Sequence, residues 1–331
     1  MTLSVLDLSP VSDGSTGAEA LRNTLDLARL ADELGYHRYW LAEHHNSSFT
    51  ASPIPEIMIA KVADVTSRIR VGSGGVMLPN RNPLLVAEAF NVLSTLHPGR
   101  IDLGIGRAPG TDQLTAFALR RSKEAVMAED FPEQLGETLA FLINQFPTDH
   151  PFQRVKAIPL DAPTPEVWLL GSSDYSAHLA ARLGLGFAFA HHISPGPAVA
   201  SLRAYREEFR PSGFFTEPQA MLATSVLCAE TDEEAEELAR SYDLAILRLH
   251  QGRFGKFPSI EEAAAYPYSE AEREQVRQNR SRITVGSPDT VRDRLTKLAE
   301  AAGVEEIMAT TMVHSHAARR RSYELLIGAF S

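Results

Sequence analysis

The sequence is poor in several features that would place a protein outside the ordinary globular enzymes. It has one cysteine, Cys228, which excludes an internal disulfide and a cysteine-based zinc site. Its 42 acidic residues outnumber the 32 basic ones, giving a formal net charge of −10. Such a chain offers no positive field to nucleic acid or to an anionic membrane, so a bound anion requires a local basic pocket.

Long apolar runs are also missing. No stretch of about 18 uninterrupted apolar residues occurs. The N-terminal segment MTLSVLDLSPVSDG has no cationic flank before its short apolar run, as a secretory signal would have. We therefore expect a soluble cytoplasmic protein that binds neither membrane nor nucleic acid.

What the sequence does contain is a regular alternation of strand and helix patterns. Short β-branched or apolar runs predict eight strands, separated by segments with helical spacing. The predicted strands are 3–9, 38–44, 69–78, 100–106, 167–172, 186–192, 221–229 and 304–312. Eight such units in 331 residues predict an α/β fold, a (β/α)8 TIM barrel that forms a single domain over 1–331.

A doubly wound sheet is the main alternative to the barrel. Its dinucleotide-binding form would open the first helix with G-x-G-x-x-G, which this chain lacks there. Two segments exceed ordinary loop lengths: 107–130 after the fourth strand and roughly 245–283 after the seventh. In a barrel both insertions lie at the carboxyl-terminal mouth, where the active sites of this fold are found.

The second predicted strand ends in three ionisable residues, Glu43, His44 and His45. At the mouth of a barrel, this group favours a role in chemistry. Two alternatives stay open, namely that the side chains cap a strand end in solvent or that they bind a metal ion. Adjacent strand residues point to opposite faces, so His44 and His45 cannot ligate one ion without a bend, and we expect no metal site.

Glycines mark the ends of the third and fourth predicted strands. The run from Gly72 to Gly75 permits a bulge, an unusual peptide geometry or close approach of a planar ligand, and we favour ligand approach over an ordinary loop. Arg107 follows Gly106 at the end of the fourth strand. That position suits pairing with an anion, although an ordinary surface ion pair is the alternative.

A group of small residues follows the fifth predicted strand. Gly171, Ser172 and Ser173 end it, and Ser176 lies one turn into the next helix. Backbone N–H groups, hydroxyls and a helix N-terminus make this a candidate phosphate site, whereas N-capping would explain one serine. The sixth strand ends in histidines at 191 and 192, again at the predicted mouth.

Taken together, these segments resemble the bacterial luciferase-like family of flavin-dependent oxidoreductases. The resemblance spans nearly the whole chain and is carried by four segments in the same order. They are LAEHHN, RVGSGGVMLPNRNPLLVAEAFNVLSTLHPGRIDLGIGRAPG, LLGSSDYSAHLAARLGLGFAFAHH and VGSPDTVRDRL. The family's fold is the (β/α)8 barrel, and its usual cofactor is reduced FMN, bound at the mouth.

The resemblance also implies roles for individual residues. His44 matches a catalytic histidine that acts as acid or base around a flavin C4a-peroxide, and Gly74-Gly75 matches a non-prolyl cis peptide behind the isoalloxazine ring. The cofactor-binding set that we predict comprises Glu43, Gly74, Gly75, Arg107, Gly171, Ser172, Ser173 and Ser176, of which Arg107 and the serines match phosphate-binding positions. Either Arg120 or Arg121 would add a second positive charge, and the sequence does not choose between them.

Two further positions bear on the activity. Gly106 stands where true luciferases carry a reactive cysteine beside the flavin, which argues against light emission. The segment 251–283 matches the mobile loop that closes over the reduced flavin, where it would exclude water.

The leading hypothesis is a monooxygenase that uses FMNH2 and O2, by way of a C4a-peroxyflavin, to oxidise a small organic substrate, with a separate flavin reductase as one source of FMNH2. The alternatives are a deazaflavin-dependent hydride-transfer enzyme and a non-catalytic flavin-binding protein. The family commonly forms dimers through helices beside the barrel. The apolar segment AEAFNVLSTL (87–96), with the preceding helix, is a candidate surface for a homodimer. The sequence does not identify the substrate.

Overall fold

The structure, a computed structural model, describes residues 1–331. The strands are β1 (Thr2–Asp7), β2 (Arg38–Leu41), β3 (Arg70–Ser73), β4 (Val76–Met77), β5 (Ile101–Gly106), β6 (Glu166–Gly171), β7 (Gly186–Ala190), β8 (Ala220–Cys228), β9 (Ile283–Gly286) and β10 (Glu306–Thr310). The helices are α1 (Gly17–Leu34), α2 (Pro55–Val65), α3 (Pro83–Leu96), α4 (Gln113–Arg120), α5 (Lys123–Met127), α6 (Phe131–Leu142), α7 (Asp174–Leu183), α8 (Ala198–Glu208), α9 (Asp232–His250), α10 (Ile260–Ala265), α11 (Glu270–Asn279), α12 (Pro288–Ala302) and α13 (His316–Gly328). Short 3₁₀ turns occupy Leu78–Asn80 and Arg280–Arg282.

Eight of these strands form a closed parallel barrel. β1, β2, β3, β5, β6, β7 and β8 pair in that order, and β10 pairs with both β8 and β1 to close the ring. Helices connect the consecutive strands around its outside. The predicted (β/α)8 TIM barrel is therefore confirmed, and the doubly wound alternative is wrong because β10 closes the eight strands into a ring.

Strand boundaries differ from the prediction at three places. β2 ends at Leu41 rather than at 44, so the three ionisable residues lie in the loop beyond it. The predicted strand 69–78 is interrupted at Gly74 and Gly75, whose peptide bond is cis, and becomes β3 and β4. β9 was not predicted as a strand. It follows the second insertion and pairs in parallel with β8.

Both predicted insertions contain helices of their own. The segment after β5 forms α4 and α5, and the segment after β8 contains the end of α9 together with α10 and α11. A further irregular segment, 143–165, separates α6 from β6 and was not singled out in the sequence. None of the helices is both long and apolar enough to cross a membrane.

The core has an outer layer between strands and helices and a smaller cluster inside the barrel. The outer layer contains 54 buried residues. The inner cluster is centred on Trp40 and Trp168, whose rings meet edge to face at 5.8 Å. Cys228 belongs to the outer layer, and burial raises the pKa of its thiol to about 12.

A buried ion network fills the amino-terminal end of the barrel. Arg38, the first residue of β2, donates from one guanidinium nitrogen to Asp102 and to Glu166, at 2.8 Å each. Trp40 donates its indole N–H to Asp102 at 2.9 Å, and Glu306 accepts from Arg38 at 3.1 Å. Buried charges of this kind are retained when each has partners. The network joins β2, β5, β6 and β10 at the end of the barrel opposite the mouth.

We expect Gly104→Ala to destabilise the protein, because the added Cβ would clash with the Ser73 carbonyl oxygen and with Leu170. Gly104 is in β5 and Ser73 is in β3, and both strands are held by their neighbours in the barrel. The backbone therefore cannot move to relieve the clash, and the free energy of unfolding should fall by about 3 kcal/mol. Urea unfolding followed by circular dichroism measures it.

The matched control for this substitution is Gly136→Ala. Gly136 lies within α6, and no atom lies within 4 Å of the position that a Cβ would occupy. Alanine is a better helix former, so this variant should gain about 1 kcal/mol. Equal stabilities of the two variants would contradict the packing described for β5.

Candidate active site

Glu43 organises the loop that follows β2. Its side chain is fully buried. One carboxylate oxygen accepts from His45 Nε2 at 2.7 Å, and the other accepts from the Met77 backbone N–H at 3.1 Å and lies 3.0 Å from a guanidinium nitrogen of Arg81. Both oxygens are therefore used inside the protein. The cofactor contact of Glu43 stays a prediction, and in the structure both oxygens face protein groups around the loop that carries His44.

Of the adjacent residues His44 and His45, His44 is the one whose ring makes no hydrogen bond within the protein. Its Nδ1 is buried and has no hydrogen-bond partner, whereas His45 is bonded to Glu43. His44 also lines a cavity of about 530 Å³ that opens at the mouth. The two rings thus have different environments, although β2 ends at Leu41 and strand alternation is not the reason.

The electrostatics around His44 favour its neutral form. Burial lowers the pKa of His44 below its usual value, the Glu43 carboxylate opposes this change, and His192 and His45 reinforce it. A neutral imidazole near pH 7 can accept a proton, which is the property required of a general base.

The loop that contains His44 is held on both sides. On one side, His45 N–H donates to the Gly110 carbonyl at 3.4 Å and the Thr111 hydroxyl donates to the His45 carbonyl at 3.2 Å. On the other side, Ala51 N–H donates to the Ser9 carbonyl at 2.9 Å. The loop is therefore a rigid part of the mouth, fixed between the segments that follow β5 and β1.

The two histidines after β7 also lie at the mouth. His191 Nδ1 is 3.1 Å from the Thr224 hydroxyl. His192 Nδ1 donates to the Ala223 carbonyl at 3.0 Å, which leaves its Nε2 as an acceptor. Burial lowers the pKa of both rings. His192 is close enough to His44 to affect the pKa of His44, so the structure brings these two predicted mouth residues together.

Arg107 lies over an aromatic ring at the start of α7. It is exposed, and its guanidinium carbon is 4.4 Å from the centre of the Tyr175 ring. Stacking uses the face of the guanidinium and leaves its N–H groups free in the plane. The predicted alternative of a surface ion pair is wrong, since no carboxylate pairs with Arg107.

The predicted small residues surround the same helix N-terminus. Ser173 is the residue before α7, and its hydroxyl accepts no capping bond from the helix. Ser176 is buried against Gly171, where a Cβ would clash with its side chain. The carboxylate of Asp174 accepts from the Tyr175 N–H at 2.8 Å. Simple N-capping therefore does not explain the serines, and the neighbouring Tyr175 is the residue of this segment that contacts Arg107.

The glycines between β3 and β4 pack against the protein itself. A Cβ on Gly74 would lie 2.6 Å from Leu6 Cδ1, and one on Gly75 would lie 2.9 Å from the Gly104 carbonyl oxygen. The peptide between them is cis, as the resemblance implies. Close packing against Leu6 and the Gly104 carbonyl is therefore a sufficient reason for glycine at both positions. The sequence analysis had favoured close approach of a ligand as the reason.

The two candidate arginines after β5 have different environments. Arg120 donates to the Asn80 side chain at 3.0 Å, which holds α4 against the 3₁₀ turn Leu78–Asn80. Arg121 is exposed and has a left-handed backbone with φ of 67°. Arg120 is therefore occupied in the structure, and Arg121 is the freer cation.

The start of the second insertion is anchored to the barrel. Phe257 is fully buried and packs against Phe49, with ring centres 5.6 Å apart. Its N–H donates to the Val11 carbonyl, and its carbonyl accepts from the Asp13 N–H, at 2.8 Å each. Any movement of this insertion must therefore involve the residues after Phe257.

Metal ligation has no support in the geometry, because no group of three or more His, Cys, Asp or Glu side chains is placed to hold an ion. Sequence reasoning missed Arg81 and Tyr175. Arg81 contacts Glu43 across 38 positions, and Tyr175 contacts Arg107 across 68. Neither contact follows a periodicity, although the position of Tyr175 between two candidate serines was a signal.

Comparison with known proteins shows what the chain is similar to. Residues 1–306 match the family model described as luciferase-like monooxygenase. A luciferase-like monooxygenase of Escherichia coli (strain K12) is 42% identical over 325 residues, covering 98% of this chain and 96% of the relative. N-acetyl-S-alkylcysteine monooxygenase of Bacillus subtilis (strain 168) is 36% identical over 329 residues, covering 99% and 97%.

Solved structures agree with this match. The structure of apo-MsnO8 has a TM-score of 0.91 and 42% identity, covering 99% of this chain and 98% of that one. Two more distant structures show the fold alone. The oxygenating constituent of 3,6-diketocamphane monooxygenase from Pseudomonas putida, in complex with FMN, has a TM-score of 0.71 at 20% identity, with 98% and 96% covered. An F420-dependent secondary alcohol dehydrogenase has a TM-score of 0.73 at 11% identity, with 100% and 99% covered.

We expect Glu43→Gln to lower the pKa of His44 further, because the carboxylate is the group that favours the protonated ring. The amide keeps the shape of the side chain, so the loop should stay in place. A titration of the His44 ring by NMR measures the change.

Asp26→Asn is the matched control. Burial lowers the pKa of His316, and Asp26 opposes this change from 2.7 Å. This variant should lower the pKa of His316 and leave that of His44 unchanged. A His44 pKa that does not move in Glu43→Gln would show that the carboxylate is not its electrostatic partner.

Proposed function

The chain belongs to the luciferase-like monooxygenase family, and we propose that it uses reduced FMN and O2 to oxidise a small organic substrate. The observation that carries the proposal is the juxtaposition at one barrel mouth of an anion site around Arg107 and an unpartnered neutral histidine, His44. The first suits the phosphate of a flavin nucleotide, and the second suits proton transfer beside its ring.

FMN fits the residues present. A phosphate needs directed donors in a chain of net charge −10, and Arg107 supplies charged N–H groups that no carboxylate neutralises. Ser173 leaves the α7 N-terminus without a side-chain cap, and helix N-termini favour anions. We assign Arg107, Ser172, Ser173 and Ser176 to the phosphate, with Arg121 as a second charge.

The ring of the flavin is assigned to the mouth between the glycine segment and His44. Gly74 and Gly75 would form one wall, behind the ring. When bound, the reduced flavin supplies the electrons that activate oxygen. The protein supplies position and proton transfer: His44 would accept or hold a proton on its imidazole ring, and Glu43 would fix the loop that presents it.

Exclusion of water is assigned to the second insertion. The residues after the Phe257 anchor include α10 and α11, and Arg248 of the adjoining α9 bonds to Glu262 at 2.6 Å. Movement of this segment over the mouth would shield the reduced flavin from solvent.

We further propose a cytoplasmic homodimer supplied with reduced FMN by a separate reductase. Large apolar side chains are exposed on α2 and α3, with Ile57 59%, Leu85 64% and Leu96 65% accessible. Large exposed apolar patches mark interfaces, and these side chains supply apolar surface to helices beside the barrel. A monomeric mass by sedimentation velocity would contradict this part of the proposal.

Rapid mixing of the reduced FMN complex with oxygen tests both the identity of the cofactor and its chemistry. Photoreduced FMN, bound anaerobically, is mixed with oxygenated buffer while the flavin spectrum is recorded. We expect tight binding and reoxidation slower than that of free flavin, because the site excludes water and protons from the reacting ring. Reoxidation at the rate of free FMN, without tight binding, would favour deazaflavin F420 or a non-catalytic role, and F420 titration separates these two.

His44→Ala extends the same test to turnover. On a substrate found by screening, the variant should lose at least about 100-fold in rate, the usual size of a general acid or base contribution, while reduced FMN binds within a few fold. His178→Ala, in the exposed pair of His178 with Glu208 on α7 and α8, is the matched control. Unchanged turnover in His44→Ala would remove the catalytic assignment.

The phosphate assignment is tested with a matched cofactor pair. Arg107→Ala should raise the dissociation constant of reduced FMN by about 30-fold through loss of charge-assisted hydrogen bonds. Binding of reduced riboflavin, which lacks the phosphate, should change little. Equal losses for both flavins would place Arg107 away from the phosphate.

We expect Tyr175 to contribute to FMN binding through its aromatic ring and not through its hydroxyl. Tyr175→Ala should weaken FMN binding by about threefold, the size of an exposed cation–π contact. Tyr175→Phe keeps the ring face and should bind FMN like the wild type. A loss in the Phe variant would mean that the hydroxyl, not the stacking, is what matters.

A further inference from the structure

Arg81 faces a second carboxyl group besides that of Glu43. Its Nη2 lies 3.0 Å from Glu43 Oε2 and 3.7 Å from Glu56 Oε2. Glu56 is in the first turn of α2, and its side chain is only 16% exposed. Two carboxyl groups, one from the loop after β2 and one from α2, therefore meet at one guanidinium.

The charges of this group do not balance when both carboxyl groups are ionised. Glu43 and Glu56 would then carry two negative charges, and Arg81 supplies one positive charge. An uncompensated charge removed from water is costly, and a carboxyl group in that position takes up a proton instead. The ring of His45, which bonds to Glu43, is the alternative position for the proton.

Hydrogen bonding distinguishes the two carboxyl groups. One oxygen of Glu43 bonds to the His45 ring and the other accepts from the Met77 N–H. By contrast, Glu56 Oε2 is buried and makes no hydrogen bond, and Arg81 is the farther of its two distances from it. Donors favour the ionised form of a carboxyl group, so the geometry places the proton on Glu56.

The surroundings of Glu56 agree with this placement. Burial raises the pKa of Glu56 above its usual value and the Glu43 carboxylate adds to the increase, whereas Arg81, a bond from its own backbone N–H and His45 oppose it. Arg81, Glu43 and His45 are the charged or titratable groups that face Glu56. The N-terminus of α2 also favours a negative charge, and burial outweighs it.

We propose that Glu56 is a positioning residue of the candidate active site, which as a neutral carboxylic acid leaves Arg81 to pair with Glu43 and so keeps the loop that carries His44 in place. The inference rests on the proposed function, in which His44 is the residue positioned. Ionisation of Glu56 at higher pH would divide Arg81 between two carboxylates and weaken its pairing with Glu43.

The pH dependence of stability tests the protonation of Glu56 without a cofactor. Urea unfolding of the wild type and of Glu56→Gln, whose amide imitates the neutral acid, is followed by circular dichroism. An acid whose pKa is raised by folding stabilises the folded chain fully below its unfolded pKa of about 4.5, and this stabilisation is lost as pH rises through the folded pKa.

The unfolding constant of the wild type, divided by that of Glu56→Gln, should therefore rise from about pH 4.5 upward. The rise is limited to about tenfold per pH unit and ends once Glu56 is ionised. A ratio that does not change with pH would overturn the proposal. So would nitrogen NMR shifts showing a protonated His45 ring near neutral pH, because the proton would then be on His45.

Glu324→Gln is the matched control. Arg321 is also shared by two carboxylates, at 2.6 Å from Glu230 and 2.9 Å from Glu324, but all three side chains are partly exposed. Water therefore compensates their charges, and the ratio for Glu324→Gln should not change with pH. A rise as large as that for Glu56→Gln would contradict the part assigned to burial.

Glu43→Gln tests the sharing of Arg81. The amide removes the competing charge and makes Arg81 available to Glu56. The ratio of the unfolding constants of Glu43→Gln and of the double variant Glu43→Gln/Glu56→Gln should therefore depend less on pH than the ratio in the wild-type background. An equal dependence would show that burial alone keeps Glu56 neutral and would reject the positioning role.

The pH profile of turnover extends the test to the candidate active site. On a substrate found by screening, the rate of the wild type relative to that of Glu56→Gln should fall over the same pH range in which the stability ratio rises. A rate ratio that stays constant there would reject Glu56 as a positioning residue.

The outcomes separate this inference from the proposed function. A stability ratio that rises with pH, in a chain that does not bind reduced FMN, would retain the neutral Glu56 and reject the flavin chemistry. Tight binding and slow reoxidation of FMN, with a stability ratio independent of pH, would retain the monooxygenase and reject the role of Glu56.

Discussion

The mouth of this barrel depends on one buried carboxylate. Glu43 carries a negative charge out of water, which costs several kcal/mol unless donors surround it. Its hydrogen bonds are with the ring of His45 and the backbone N–H of Met77, and the guanidinium of Arg81 forms an ion pair with it. Because these partners come from the loop after β2, from β4 and from the segment after it, satisfying the charge also fixes these segments relative to each other. The position of His44 thus follows from the contacts that compensate for the desolvation of Glu43.

Charged residues at the two ends of the barrel have different environments. At the amino-terminal end, Arg38 and Asp102 are buried and fully partnered, so nothing there is left to bind a ligand. At the mouth, Arg107 has an aromatic ring beneath it and no carboxylate, and His44 Nδ1 has no partner. The charged groups at the amino-terminal end are thus paired within the protein, whereas Arg107 at the mouth is not.

Much of this was readable from the sequence because strand and helix periodicities are local. The eight barrel strands, both mouth insertions and the positions of His44 and Arg107 followed from them. The contacts of Glu43 with Met77 and Arg81 were not predicted because these residues lie 34 and 38 positions away in the chain. β9, whose four residues are ITVG, was not predicted. The glycine run did indicate a bulge or an unusual peptide geometry at Gly74, whereas its packing against Leu6 left no trace in the sequence.

The family resemblance added what periodicity could not supply. The roles of His44 and the serines came from matched positions, and the cis peptide at Gly74-Gly75 is present in the structure. Tyr175 lies inside one of the matched segments but was given no role, because its stacking on Arg107 is visible only in the folded chain.

The burial of Cys228 has a practical consequence. Its thiol is 1% exposed, and burial raises its pKa to about 12, so it forms little of the thiolate that alkylating reagents attack. The native chain is therefore nearly silent toward maleimide dyes. A cysteine introduced on the exposed face of α11 could then carry a single fluorophore, whose emission would report on the second insertion in solution without a cysteine-free background having to be built first.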